Sequence, residues 1–126
     1  MSRRMSVSMT LEAVRERRKT VTRRHVSTWA NLRAGDRLTL IEKGMGLPKG
    51  STQVVVAEVE IVDVRVEPLV EVWNERGALE AEGIDDMSPN LFAYWWAEGH
   101  GYRGCESPED LAGIECRRIE WRYLSE

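Results

Sequence analysis

Residues 53–66 have the sequence QVVVAEVEIVDVRV, which is the strongest strand signal in the chain. Eight of the fourteen positions hold Val or Ile. These β-branched side chains favour an extended backbone. The length predicts either one long, bent strand or two consecutive strands, and Pro68 is expected to end the segment. A β-sheet built around this stretch is therefore the expected centre of the fold.

Shorter strands are predicted at Ser6–Met9, Lys19–Arg24, Arg37–Ile41 and Ile114–Leu124. Helices are predicted at Leu11–Arg18, at Val70–Glu82 with Gly83 as its stop, and from Ser88-Pro89 to Gly99. Strands predominate and the helices are short. The pattern therefore predicts an α+β fold, a small and mostly antiparallel β-barrel with two or three short helices packed on one side.

The length of 126 residues predicts a single domain that spans residues 1–126. Hydrophobic residues make up 42% and charged residues 31%, which is typical of a soluble globular protein. No apolar run approaches the ~20 residues of a membrane helix, and the N-terminus has no apolar signal segment, so a cytoplasmic location is expected. Two cysteines and two histidines predict neither a disulfide scaffold nor a metal site. No cofactor is expected.

Charge is distributed unevenly along the chain. Residues 1–37 contain ten Lys or Arg against three acids, whereas residues 38–126 contain eight basic and eighteen acidic residues. Such asymmetry often marks an anion-binding face. The alternative is that the acidic part folds over the basic part and neutralises it.

The most informative basic stretch is Arg17-Arg18-Lys19-Thr20-Val21-Thr22-Arg23-Arg24. In an extended segment Thr20, Thr22 and Arg24 share one face, with Lys19 at the corner between helix and strand. An amine, hydroxyls and a guanidinium together suit a phosphate or the polar edge of a base. The alternative is a solvated edge strand. We expect this segment to line a polar cleft, with Thr22 and Arg24 facing into it.

Several motifs occur in a familiar order: Arg18–Arg24, then Trp29 and Leu32-Arg33-Ala34-Gly35-Asp36, the strand Leu38–Ile41, the Val-rich strand, the Glu82-Gly83 turn, and Arg118-Ile119-Glu120-Trp121. In this order and spacing the chain resembles the ASCH family, a branch of the PUA-like barrels, over roughly residues 17–124. The segment Glu42-Lys43-Gly44-Met45-Gly46-Leu47 looks like the version found in bacteriophage and actinobacterial members.

The resemblance implies a barrel whose Lys-Thr-x-Thr-x-Arg strand lines a pocket for RNA or a nucleotide. The ligand-binding residues that it implies are Thr20, Arg23, Arg24, Glu42 and Lys43. The last two end a strand beside a glycine-rich loop and are expected in the cleft wall.

One small bacterial branch of the family hydrolyses the acetyl amide of 4-acetylcytidine with a Lys, a Thr and a Glu. Its motif matches Lys19 and Thr22, and Glu82 is the best candidate for the acid. Glu80, Asp85 and Asp86 are neighbouring alternatives that spacing does not separate from Glu82.

Two functions follow from different classes. The first is an RNA- or nucleotide-binding module with a basic-rimmed cleft, and the second is an amidohydrolase acting on 4-acetylcytidine, or a ribonuclease. A host-interaction protein whose cleft is vestigial is a third. Convergence of Lys19, Thr22 and an acid in one pocket separates the enzyme from the binding module.

Two adjacent tryptophans are candidates for stacking on a base. Trp95 is expected in the core and Trp96 at the surface, so Trp96 is the one expected to be available for stacking.

Overall fold

The structure of the protein, a computed structural model, describes residues 3–43 and 48–124. It contains one five-stranded mixed sheet. The strands are β1 (Arg3–Ser6), β2 (Val21–His25), β3 (Arg37–Ile41), β4 (Val55–Pro68) and β5 (Glu115–Tyr123). Their order in space is β1-β3-β4-β5-β2, in which only the β1–β3 pair is parallel. Most of the predicted glycine-rich loop, residues 44–47, lies outside the described residues.

The Val-rich stretch forms one long strand, β4, of 14 residues. It pairs with β3 through its first part and with β5 from Val59 to Pro68. The register shifts between Leu40 and Ile41 in the β3–β4 ladder, and between Ile61 and Asp63 in the β4–β5 ladder. Such irregularities bend a strand and increase its twist. Of the two predicted alternatives, one long strand is the one that forms, and its bend curls the sheet.

The curled sheet is a half-barrel, and its ends are the edge strands β1 and β2. Within residues 3–43 and 48–124 no strand ladder joins these two edges. A side chain spans the gap instead, because Arg24 Nη2 of β2 donates a hydrogen bond to the carbonyl oxygen of Ser6 in β1, at 2.9 Å. The α+β class with short helices is confirmed, whereas a closed ring of strands is not what forms.

The helices are α1 (Leu11–Arg15), α2 (Ala78–Glu82), α3 (Pro89–Gly99) and α4 (Pro108–Leu111), with 3-10 turns at Ser8–Thr10 and Leu69–Trp73. The boundaries of α3 match the prediction, and Ser88 Oγ caps it by accepting from the Leu91 N–H at 3.1 Å. The helix predicted over Val70–Glu82 is wrong as one element, because a turn that ends at left-handed Gly77 divides it. Among the described residues, no helix has the length and apolar character that crossing a membrane requires.

Two apolar clusters form the core. One joins residues of the sheet to α1 and includes Val14, Leu38, Val59, Ile119 and Trp121. The other lies under α3 and includes Leu69, Val72, Phe92, Trp96 and Leu111. Within Lys19–Arg24, the polar side chains of Lys19, Thr22 and Arg23 are buried.

The junction between α2 and the start of β2 depends on Gly83. This residue ends α2 in the left-handed region at φ +78°, which favours glycine. A Cβ atom here would lie 2.5 Å from the Ala13 Cβ and 3.2 Å from the Lys19 Cβ. The backbone N–H of Thr20 also bonds to the Ala81 carbonyl, at 2.8 Å. The last turn of α2 is therefore held directly against Lys19.

We expect Gly83→Ala to lower the free energy of unfolding by about 2–4 kcal/mol, since it combines left-handed strain with an overpacked contact. Gly104 is a matched control, because it has the same φ of +78° but no atom within 4 Å of the added Cβ. Gly104→Ala should cost about 1 kcal/mol. Urea unfolding of both variants measures the difference, and equal losses would contradict the close packing at Gly83.

Candidate functional site

A cavity of about 240 Å³ lies at the gap between β1 and β2. The chain following β1 forms one wall, and the other walls come from β2, the end of α2 and α3. The lining residues are Ser6, Val7, Ser8, Met9, Thr10, Lys19, Thr22, Arg23, Arg24, Glu82, Ile84, Phe92, Trp95, Trp96 and His100. The cavity therefore brings together four residues of the predicted basic strand and one of the candidate acids.

Lys19 is almost fully buried, with 3% of its surface exposed. Its Nζ donates to the main-chain oxygen of Glu82 at 2.7 Å and to Glu82 Oε1 at 3.2 Å. The carbonyl oxygen of Lys19 accepts from Trp121 Nε1 and from the Tyr123 hydroxyl, which fixes the backbone. Burial lowers the pKa of Lys19, and the charges of Arg24 and Arg23 act in the same direction, against the opposing attraction of Glu82.

Glu82 binds two cations at once. Its Oε1 faces Lys19, and its Oε2 accepts from Arg23 Nη1 at 2.9 Å. Both carboxylate oxygens are therefore engaged and the carboxyl group has one orientation. Such double pairing offsets the desolvation of a buried carboxylate.

Arg23 borders the cavity, but its side chain is fully buried and turned to carboxylates. Besides Glu82, its Nη2 meets Glu75 Oε1 at 2.8 Å and Glu67 Oε2 at 3.8 Å. Glu75 also pairs with Arg118 at 2.9 Å. The Nη1 and Nη2 atoms of Arg23 thus belong to the internal ion-pair network, at a residue that also lines the cavity.

Arg24 has a different environment. Its Nε donates to Thr22 Oγ1 at 3.1 Å and its Nη2 to the Ser6 carbonyl at 2.9 Å. In the part of the chain that the structure describes, no carboxylate lies within ion-pair distance of Arg24. Burial lowers the pKa of Arg24, but a guanidinium remains charged at neutral pH. Arg24 is therefore a cation at the cavity that has no ion pair among the described residues, and the charge of Glu82, beyond ion-pair distance, opposes the effect of burial on its pKa.

Three of the predicted ligand-binding residues are not in the cavity lining. Thr20 is half-buried, Glu42 pairs with Arg15 at 3.2 Å, and Lys43 is exposed. Of the four candidate acids, Glu82 alone borders the cavity. Glu80, Asp85 and Asp86 are exposed, and Asp85 lies 3.5 Å from Arg18.

The assignment of the two adjacent tryptophans is wrong. Trp96 is buried and its Nε1 donates to the Arg23 carbonyl at 2.9 Å, whereas Trp95 is 40% exposed at the cavity. The helical period contained the signal, because Phe92, Ala93, Trp96 and Ala97 share one apolar face of α3. His100, which also lines the cavity, was not predicted as a site residue and has no motif that marks it.

The basic N-terminal third is partly neutralised by internal ion pairs. Arg15 pairs with Glu12 and Glu42, Arg18 with Glu16 and Asp85, and Arg23 with the three carboxylates named above. Most of these acids belong to the acidic remainder of the chain. Among the described residues that line the cavity, Lys19 and Arg23 have ion pairs and Arg24 does not, so these residues do not form the broad basic rim that charge asymmetry predicts.

Comparisons with known proteins identify the fold. The hypothetical protein PH0355 has a TM-score of 0.61 at 13% identity, covering 98% of this chain and 100% of that chain. EF3133 from Enterococcus faecalis V583 has a TM-score of 0.56 at 12% identity, and the match covers 93% of this chain and 71% of that chain. PF0455 from Pyrococcus furiosus has a TM-score of 0.55 at 17% identity, and the match covers 100% of both chains. No family model and no curated protein matches the chain. At these identities the likeness establishes a shared fold.

The buried Lys19 predicts a specific pH dependence of stability. Its pKa in the folded protein is below the ordinary value of 10.5, so the unfolded chain binds this proton more tightly. The charged lysine thus costs stability below the folded pKa, and the cost disappears as the pH rises towards 10.5. As the pH rises towards 10.5, the free energy of unfolding of the wild-type protein should therefore increase relative to that of Lys19→Met.

Urea unfolding at a series of alkaline pH values measures this difference. Lys43→Met is the control, because Lys43 is exposed and outside the cavity, and it should unfold with the pH dependence of the wild type. A wild-type protein that loses stability relative to Lys19→Met as the pH rises would contradict the account.

Proposed function

We propose that this protein binds a single nucleoside or nucleotide in the cavity between β1 and β2. The observation that supports this best is Arg24, a cavity cation without a carboxylate partner that Thr22 and Ser6 hold in place. Its remaining N–H groups suit a phosphate oxygen or an acceptor on a base. Trp95, exposed at the same cavity, offers a ring on which a base can stack.

A nucleoside unit fits these observations better than an RNA strand. The cavity of about 240 Å³ is small, and Arg23, Arg15 and Arg18 are engaged in ion pairs. Strand binding depends on many phosphate contacts made by free cations. The resemblance of roughly residues 17–124 to the ASCH family supports the wider class of RNA or nucleotide ligands.

A second candidate function is hydrolysis of an acyl amide, with 4-acetylcytidine as the substrate that the family resemblance suggests. It is favoured by one observation, which is that Lys19, Thr22 and Glu82 all border the same cavity. In this mechanism Thr22 Oγ1 attacks the acetyl carbonyl carbon and Lys19, as the neutral amine, takes the hydroxyl proton. The carbon–nitrogen bond breaks, and Lys19 passes the proton to the leaving amine. Water then cleaves the acyl ester, which releases acetate and restores Thr22.

The contacts define the role of Glu82 in this mechanism. Because Lys19 and Arg23 occupy its two oxygens, Glu82 orients the amine of Lys19 and is not free to activate water. Thr22 Oγ1 accepts from Arg24, so its own proton remains available for transfer. The cationic donor also stabilises negative charge that develops on this oxygen. A hydrogen bond from Thr22 to Lys19 is the contact that the reaction has to add.

Binding is tested by calorimetric titration with cytidine and cytidine 5′-monophosphate. Arg24→Met should weaken the monophosphate about 10-fold, since a hydrogen bond to a charged group is lost. The control Arg37→Met removes an exposed arginine outside the cavity and should leave affinity unchanged. Failure of both ligands to bind at millimolar concentration, or equal affinities for Arg24→Met and the wild type, would rule out the proposed site.

Catalysis is tested by following cytidine release from 4-acetylcytidine. Lys19→Met and Thr22→Val should each lower kcat/KM on the order of 10²- to 10⁴-fold, and the double variant should lose little more, because base and nucleophile act as one unit. Thr20→Val and Glu80→Gln are matched controls outside the cavity, to be compared with Thr22→Val and Glu82→Gln. Circular dichroism establishes that each variant is folded.

The activity should rise with pH, because only the neutral amine of Lys19 can accept the proton. Burial lowers the pKa of Lys19, so the rise should be centred below the ordinary lysine value of 10.5. No turnover above the Lys19→Met background would exclude the hydrolase and leave the binding proposal standing.

A further inference from the structure

His100 is held rigidly at the cavity wall just beyond the end of α3. Its Nδ1 lies 2.7 Å from the carbonyl oxygen of Trp96. Its ring stacks on the Trp96 indole with centroids 3.8 Å apart and an interplanar angle of 16°. Trp96 is itself fixed, because its Nε1 donates to the Arg23 carbonyl at 2.9 Å. His100 lines the cavity, and one ring face and one nitrogen of it are thus engaged, so Nε2 is the ring nitrogen that remains for a ligand.

The contact with Trp96 determines the tautomer of His100. A carbonyl oxygen only accepts, so Nδ1 must carry the proton and the neutral ring has a free lone pair on Nε2. Burial lowers the pKa of His100, the hydrogen bond to the Trp96 carbonyl opposes this effect, and the charges of His25 and Arg24 act with burial. The net shift is downward, which favours the neutral ring at pH 7. Within the described part of the chain Nε2 has no hydrogen-bond partner.

The charged side chains described at this cavity offer a ligand no free hydrogen-bond acceptor, which sets His100 Nε2 apart from them. Lys19 and Arg24 are donors, and both oxygens of Glu82 already bind cations. A ligand that places an N–H against His100 Nε2 gains a hydrogen bond there. A ligand that places a carbonyl oxygen there brings two acceptors together, which leaves both unpaired.

We propose that His100 is a specificity-determining residue whose Nε2 accepts a hydrogen bond from an exocyclic amino or amide N–H of the bound base. The site then prefers an aminopyrimidine, such as cytosine or its acylated form, to a ketopyrimidine of the same shape. This inference rests on the proposed function, in which a nucleoside occupies the cavity.

The test compares the dissociation constants of cytidine and uridine, which have nearly the same shape but differ in the group at position 4. The wild-type protein should bind cytidine on the order of 10- to 100-fold more tightly. His100→Phe keeps an aromatic ring to stack on Trp96 but lacks the acceptor, so this preference should fall to within about 2-fold. His25→Phe is the matched control, because His25 contacts Tyr102 and Ser27 and does not line the cavity. It should retain the preference.

Nitrogen-15 NMR of the histidine rings gives a readout that needs neither ligand nor variant. At neutral pH, Nδ1 of His100 should be protonated and Nε2 unprotonated. A protonated Nε2 would overturn the inference even where His100→Phe does not fold. A cytidine preference that persists in folded His100→Phe would overturn it while leaving nucleoside binding intact. Absence of binding by both nucleosides to the wild type would instead overturn the proposed function, and this inference with it.

Discussion

The buried carboxylate of Glu82 is the interaction on which the rest of the site depends. Glu82 is the last residue of α2. It pairs with Lys19, which precedes β2, and with Arg23, which lies within β2. Either cation alone in this interior would carry a large desolvation penalty, and together they would repel each other. Because Glu82 pairs with both, Lys19 and Arg23 can be buried at the start of β2. Gly83 lets α2 approach closely enough to make these contacts.

The cavity is a consequence of how the sheet ends. The β4 strand bends the sheet into a half-barrel, but no ladder joins β1 and β2 among the described residues. Arg24 of β2 bonds to the Ser6 carbonyl of β1 across the gap. The space left at this gap is closed from the side by α3, which contributes Phe92, Trp95 and Trp96. Arg23 and Arg24 are adjacent in a strand and therefore face opposite sides. Both arginines line the cavity, but Arg23 is paired with internal carboxylates, whereas Arg24 has no ion pair among the described residues. Arg24 is therefore the one of the two whose charge is available to a ligand.

Elements with strong local signals could be predicted from the sequence. The Val-rich run of β4, the strand Arg37–Ile41 and the Ser88-Pro89 start of α3 each depend on residues close together in the chain, and all three form as expected. Where the position of a side chain depends on contacts with residues distant in the sequence, the prediction of the site is incomplete. The pairing of Arg23 with residues some 50 positions away could not be inferred, and neither could the selection of Glu82 over Glu80. The exposure of Trp95 was available from the helical period, whereas the position of His100 follows only from the packing of Trp96.

The central claim is that the gap between β1 and β2 holds a nucleoside. The most direct measurement is a crystal structure of the protein soaked with cytidine. The account predicts density for the base inside the cavity, within hydrogen-bond distance of Arg24 and His100 and in contact with the ring of Trp95. An ordered cytidine bound elsewhere, or a cavity without nucleoside density at saturating concentration, would contradict it.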